Sequence, residues 1–160
     1  MGLDQYLTLV KQFSYGGRDG EPTLVDGFPL TEQRMQVMDW RKHIWVHQFF
    51  CELYEESNDC RDIEIGAKEL EVLADKLERW IEDPEALPPI EDRFRGPFFG
   101  VYVTDKDYEE SRDLYRADAK DEAKTIRKAI NWIKQTSESG LTKIGTSGYE
   151  YRHAVYRASW

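Results

Sequence analysis

Cysteine is scarce in this chain: Cys51 and Cys60 are the only two in 160 residues. Two thiols cannot build a disulfide framework, so the expectation is free cysteines in a reducing, cytoplasmic setting. Long apolar runs are missing too. No stretch approaches the roughly 18 apolar residues that span a bilayer, and no N-terminal segment joins a basic start to an apolar core, so no membrane partner is expected. Positive charge is in deficit, with 22 Lys and Arg against 31 Asp and Glu, a net charge of -9 and a pI near 4.9. Nonspecific nucleic-acid binding needs a basic footprint, which excludes nucleic acid as an expected partner. Internal repeats and low-complexity segments are absent.

Catalytic signatures are also wanting. The stretch from Ser14 to Gly27 contains Gly16, Gly17, Gly20, Pro22 and Gly27. It lacks the GxxxxGK spacing of a phosphate loop and reads as a loop or wide hairpin. No local motif sets a nucleophile on a strained turn or helix start, and drawing Cys60 and His153 together as a pair has no such support. No catalytic residue, metal or cofactor is assigned.

What the chain does have is rings. Hydrophobic residues make up 40% and aromatics 13%, with five tryptophans and nine tyrosines, which argues for an ordered globule with flat stacking surfaces. The length fits one domain, 1–160. Leu3 to Phe13 mixes β-branched and aromatic types and reads as an opening strand, and Arg34 to Val37 as a short second one. Asp39 to Glu55 reads as a helix apolar nearly all round, hence buried, although it carries His43, His47 and Cys51. Ile63 and Ile65 add a short extended piece before Gly66.

Leu70, Leu73, Ala74, Leu77, Trp80 and Ile81 follow the amphipathic helical spacing, and Pro84 stops that helix. Gly96 to Val103 reads as a turn into a strand. Thr104 and Asp107 form a capping-box-like start to a third helix whose inner face is Tyr108, Tyr115, Ala119, Ile126, Ile130 and Ile133, ending near Ser137 to Gly140. Gly148 opens a final strand, Tyr149 to Trp160. The order predicts an α+β fold: a small antiparallel sheet in which the N- and C-terminal strands meet, covered on one face by about three helices.

Polar groups in a buried helix must build a network or line a pocket. His43, His47, Cys51 and Glu55, spaced by four, form a stripe of metal-ligand types, but it extends about 18 Å at 1.5 Å per residue and cannot close on one ion. Histidines bonded within the core are the simpler reading. Arginines flanked by rings are the other signal. Guanidinium forks bind phosphate while rings stack on a base, so Arg41, Lys42, Arg95, Arg152 and Arg157 are read as phosphate-holding, with His47 donating a hydrogen bond and Trp40, Phe99 and Tyr151 stacking. The expectation is that these groups converge in one cleft. In the final strand, alternation sends Tyr151, His153 and Arg157 to one face and Arg152 and Tyr156 to the other. The acidic run Asp105, Asp107, Glu109, Glu110 and Asp113 reads as the solvated start of a helix, or as a docking surface for a basic partner.

Several short segments carry a resemblance: the start Met1-Gly2-Leu3-Asp4-Gln5-Tyr6-Leu7, Trp40-Arg41-Lys42 followed by His47, Asp59-Cys60, Phe98-Phe99-Gly100 and the closing Ala158-Ser159-Trp160. Together they resemble a family of small uncharacterised proteins of bacteriophages and prophages, whose members typically show asparagine where this chain has Ile44. The resemblance implies a phage accessory protein acting in the host cytoplasm, where small phage proteins counter host defence by trapping a nucleotide signal or blocking a protein. The leading expectation is therefore a non-enzymatic protein that sequesters a small anionic nucleotide-like molecule, at a cleft that a homo-oligomer could complete. The alternatives are an acidic protein that docks on a host defence protein, and a nucleotide hydrolase with His47 or His153 as general base.

Overall fold

The computed structural model describes residues 2–15, 22, 24–54, 61–86, 89–94, 105–144 and 148–159, with the backbone alone for 105–111. In chain order the elements are β1 (Asp4–Ser14), β2 (Leu24–Val25), β3 (Phe28–Pro29), β4 (Glu32–Arg41), α1 (Ile44–Leu53), β5 (Ile63–Ile65), α2 (Ala67–Glu82), α3 (Asp105–Lys134), β6 (Leu141–Ile144) and β7 (Gly148–Ser159). The fold is α+β. The terminal strands β1 and β7 pair antiparallel from Asp4↔Ser159 to Ser14↔Tyr149. β4 lies on the other side of β1, with an irregularity between Leu7 and Thr8. β5 and β6 share the remaining edge of β7, one pairing its second half and one its first.

All three helices pack on one face of this sheet. Period-two alternation puts Gln5, Leu7 and Leu9 of β1 and Ala154, Tyr156 and Ala158 of β7 on that near face, where each is buried. α2 meets it with the stripe Leu70, Leu73, Ala74, Leu77 and Trp80, and α3 with Ala119, Ala123, Ile126, Ile130 and Ile133. At the surface α2 and α3 are tied by Arg127 to Asp75 and Glu78 and by Lys134 to Glu71. After α3 the chain turns at Gly140 (φ 76°), where a Cβ would stand 2.1 Å from the Arg152 carbonyl oxygen. Only glycine fits that left-handed position against backbone. No helix among the described residues is long and apolar enough to cross a membrane.

Three expectations change. The second strand is longer than Arg34 to Val37 and takes in Asp39, Trp40 and Arg41, which the helical reading had claimed. Pairing of Gln5 with Trp40 and of Asp4 with Arg41 outweighs the local apolar run. The chain then breaks at Lys42 (φ 57°), and α1 begins only at Ile44 with His43 as its N-cap. Part of the expected glycine-rich loop is a tight hairpin, β2–β3, and β6 is a strand that the sequence reading did not anticipate. The expected strand at Gly96 to Val103 lies outside the described residues.

Candidate functional site

The near face buries an unusual number of polar side chains: Gln5, His43, His47, Gln48, Glu122 and Arg152. Most are knitted together. Gln5 Nε2 donates to the His43 carbonyl at 3.1 Å and to the Tyr156 hydroxyl at 3.0 Å, while the His43 amide donates to Gln5 Oε1 at 2.9 Å. The Tyr156 oxygen is 2.8 Å from His47 Nδ1, and His47 Nε2 lies 3.7 Å from Cys51 Sγ. The Tyr156 hydroxyl thus accepts from Gln5 and shares a hydrogen bond with His47 Nδ1 whose direction follows the imidazole tautomer. Burial pushes the Tyr156 phenol well above its ordinary pKa, so it stays protonated.

Beside this chain, Trp40 Nε1 donates to Glu122 Oε1 at 3.0 Å. Glu122 Oε2 comes within 3.4 Å of His43 Nε2, but neither atom makes a directed hydrogen bond. The His43 ring itself stacks on Tyr115 at 4.4 Å between centroids. Arg152 lies over the Trp132 ring and donates to the Trp132 carbonyl at 3.0 Å and to Gln135 Oε1 at 2.8 Å. These groups join β1, β4 and β7 to the helices, while both His43 ring nitrogens, Glu122 Oε2 and Arg152 Nε have no hydrogen-bond partner among the described residues.

The residues read from the sequence as one ligand cleft are therefore not brought together. Trp40, His47 and Arg152 face the helices, where two are bonded within the core and the third closes the end of α3. Lys42 packs against Gly2, where a Cβ would stand 2.7 Å from its Cε. Arg95 and Phe99 lie outside the described residues. Arg41, Tyr151 and Arg157 do share a face, but it is the opposite one. The physical reason is alternation: odd spacings along a strand put neighbouring arginines on opposite sides. The side chains of Asp107, Glu109 and Glu110, on which the docking reading rests, are also outside the described residues. Among the described residues no group of three or more His, Cys, Asp or Glu stands close enough to hold a metal.

On the far face a different set converges. His153 pairs with Val10, which pairs with Arg34, so the three form one row across β7, β1 and β4. Tyr151 stacks on His153 at 4.6 Å and an interplanar angle of 21°, and its hydroxyl donates to Glu64 Oε1 at 2.7 Å. His153 is 3% exposed, yet its Nδ1 has no hydrogen-bond partner among the described residues. Burial lowers its pKa, partly offset by Glu64 and Glu32, while Arg34 adds to the lowering. Arg34 holds Glu32 by a hydrogen bond that depresses the carboxyl's pKa. Arg34 on one edge strand also feels Asp62, which precedes the strand on the opposite edge. Arg157, with Asp62 at 3.7 Å, lies further along the same face.

Val10 and His153, both buried, thus share the far face with the Tyr151 ring and with Arg34, Glu32 and Glu64. Burial, then the bond to Glu64, raises the Tyr151 pKa to about 12, so the phenol stays protonated. Such a ring can stack on a planar ring, the carboxylates can accept N–H groups, and the guanidinium can take an anion. Of this set the sequence selects Tyr151 for the ligand and His153 as an alternative general base, and alternation puts the two on one face of the final strand. No family model matches the chain, and no match was found among curated proteins or solved structures.

Proposed function

We propose that the protein binds and retains a small anionic, nucleotide-like molecule on the far face of its sheet, without altering it. The observation that carries this reading is the His153 imidazole, buried and stacked on Tyr151 yet with an Nδ1 that has no partner among the described residues. A buried polar atom without a partner costs about 1–3 kcal/mol, so one retained beside an aromatic ring and charged groups supports a group that arrives from outside. In this reading the ring of the ligand extends the Tyr151–His153 stack, Glu32 and Glu64 take its N–H groups, and Arg34 and Arg157 hold its anionic part. The buried cysteine and His47 serve the core network and do no chemistry. The resemblance to small bacteriophage proteins supplies the biological setting: the ligand is a host nucleotide signal, and removing it from solution is the anti-defence act.

The test is native mass spectrometry and equilibrium dialysis against a panel of mononucleotides, dinucleotides and cyclic nucleotides, followed by denaturation and mass analysis of what is released. One class should be retained and returned intact. Arg34→Glu and Tyr151→Ala should each weaken retention at least about tenfold, the scale of a lost charge-assisted contact or stack. A wild-type protein that retains no nucleotide at millimolar concentration removes the proposal, and a cleaved product replaces it with the hydrolase reading.

A further inference from the structure

One edge of the main sheet is a single long strand. In the order β4-β1-β7-β5, with β6 also on β7, the outer side of β4 pairs with no strand among the described residues. At the other edge β5 has three residues and β6 four, whereas β4 runs for ten, Glu32–Arg41, without proline or lysine. A free edge of that length is a template for another strand unless something blunts it. Its backbone phase is set at both ends, where the Lys42 amide donates to the Leu3 carbonyl and the Phe13 amide to the Thr31 carbonyl. From those ends alternation turns the backbone groups of Gln33, Met35, Met38 and Trp40 toward β1, and leaves those of Glu32, Arg34, Asp39 and Arg41 pointing outward.

These four outward residues are all charged, and their side chains lie on the far face. Reversed on itself about the midpoint between Gln36 and Val37, the strand sets Glu32 opposite Arg41 and Arg34 opposite Asp39. On the near face the same register puts Met35 opposite Met38. Arg34 also bonds Glu32 on its own strand, so the four charges at each end form a square in which every neighbour has the opposite sign. A slip of two residues in either direction would set Glu32 against Asp39 or Arg34 against Arg41, and like charges directly opposite one another are destabilising. Asp39 and Arg41 make no side-chain hydrogen bond or ion pair among the described residues, so both are available to a second strand.

The irregularity in β4 selects the partner. Leu7 pairs with Met38 but Thr8 with Gln36, so β4 carries one extra residue at its centre. The far face is therefore held by even-numbered residues before that point, Glu32 and Arg34, and by odd-numbered ones after it, Asp39 and Arg41. A regular strand laid along this edge would fall out of phase halfway, which is how a bulge ordinarily protects an edge. A second copy running antiparallel brings the same break to the same place and stays in phase from end to end.

We infer that two copies of the chain pair β4 with β4 antiparallel, about a two-fold axis between Gln36 and Val37, and so join their sheets into one. The contact is isologous: the same patch meets itself, and every pair occurs twice. At a net charge of -9 the copies repel in general, and attraction is confined to an edge whose own two acids and two arginines balance. The inference does not rest on the ligand proposed above, because the strands and their charge pairs meet whether or not a nucleotide is bound.

Sedimentation velocity of the full chain over a concentration series, without nucleotide, tests it. Wild-type protein should form a reversible dimer. Arg34→Asp and Asp39→Arg each put two like-charge pairs across the axis, and each should raise the dissociation constant at least about tenfold. An equimolar mixture of these two variants should dimerise within about threefold of wild type, because every pair at those positions in the mixed dimer is again of opposite sign. That rescue also shows that the single variants are folded. Asp39→Pro removes an outward amide without touching the ladder to β1 and should abolish the dimer. Wild-type protein that stays monomeric near millimolar concentration overturns the inference. So does a mixture that associates no better than its components, or a dimer that survives Asp39→Pro.

Discussion

Arg152 and Arg157 stand five residues apart on β7 and look in opposite directions. Arg152 is 9% exposed, lies over Trp132 and spends its donors on the end of α3. Arg157 is exposed, with Asp62 at 3.7 Å as its ion-pair neighbour among the described residues. The same contrast holds for the pair Tyr156 and Tyr151, one locked between Gln5 and His47 and the other bonded to Glu64 on the far face. One strand thus serves two purposes by alternation. Its near-face polar groups bond to the helices, and its far-face groups bond to the edge strand or, at His153 Nδ1, to no described residue. Composition alone cannot separate the two sets, because the residue types are the same.

Truncation should separate them most sharply. Arg152→Ala removes a stacked, bonded guanidinium and leaves the Trp132 carbonyl and Gln135 without their donor, so urea unfolding should show a loss of about 3 kcal/mol. A loss below about 1 kcal/mol would mean that the near face does not depend on its polar network. Tyr156→Phe comes next. The ring stays packed on Phe50 at 4.1 Å, but Gln5 Nε2 loses an acceptor and His47 Nδ1 a partner, which should cost about 2 kcal/mol. Equal stability of Tyr156→Phe and wild type would show that these groups find other partners.

Much of this organisation is legible in the amino-acid order. The α2 stripe from Leu70 to Trp80, the inner face of the long helix from Tyr115 to Ile133 and the pairing of β1 with β7 follow from periodicity and punctuation, and the structure has them. The boundary at Asp39 to His43 does not, because its apolar residues fit a helix as well as a strand. Only the long-range pairing with β1 decides between them. For the far face the limit is of another kind. Alternation tells that Tyr151, His153 and Arg157 share a face, but it does not tell which face the helices cover. Nor does it bring Arg34 and Glu64 to the same spot, since those come from β4 and β5. The expectation of a single arginine-lined cleft failed at that step.

The His153 imidazole gives the far face a pH signature. Burial depresses its folded-state pKa below the ordinary 6.5, so on acidification the unfolded chain takes up the proton first. Stability contributed by the neutral ring is therefore complete above pH 6.5 and declines as the pH falls through and below that value. His153→Phe, which keeps a ring but cannot titrate, should remove this part of the slope. Chemical denaturation at pH 7 and pH 5 should show wild type losing up to about 1 kcal/mol more than the variant. Parallel profiles would mean that the buried nitrogen accepts its proton inside the fold without penalty, which an acidic neighbour such as Glu64 or Glu32 would have to supply.

The smallest expected effect on folding is also the most discriminating. Arg157→Ala removes an exposed side chain whose one acidic neighbour is at ion-pair distance across solvent, so its unfolding free energy should stay within about 0.5 kcal/mol of wild type. Nucleotide retention should nonetheless drop, because a guanidinium left free of the core is available to an incoming anion. Stability unchanged with retention reduced is the pattern of a binding residue. A drop in stability as large as that of Arg152→Ala would erase the distinction between the two faces, and unchanged retention would confine the anion to Arg34.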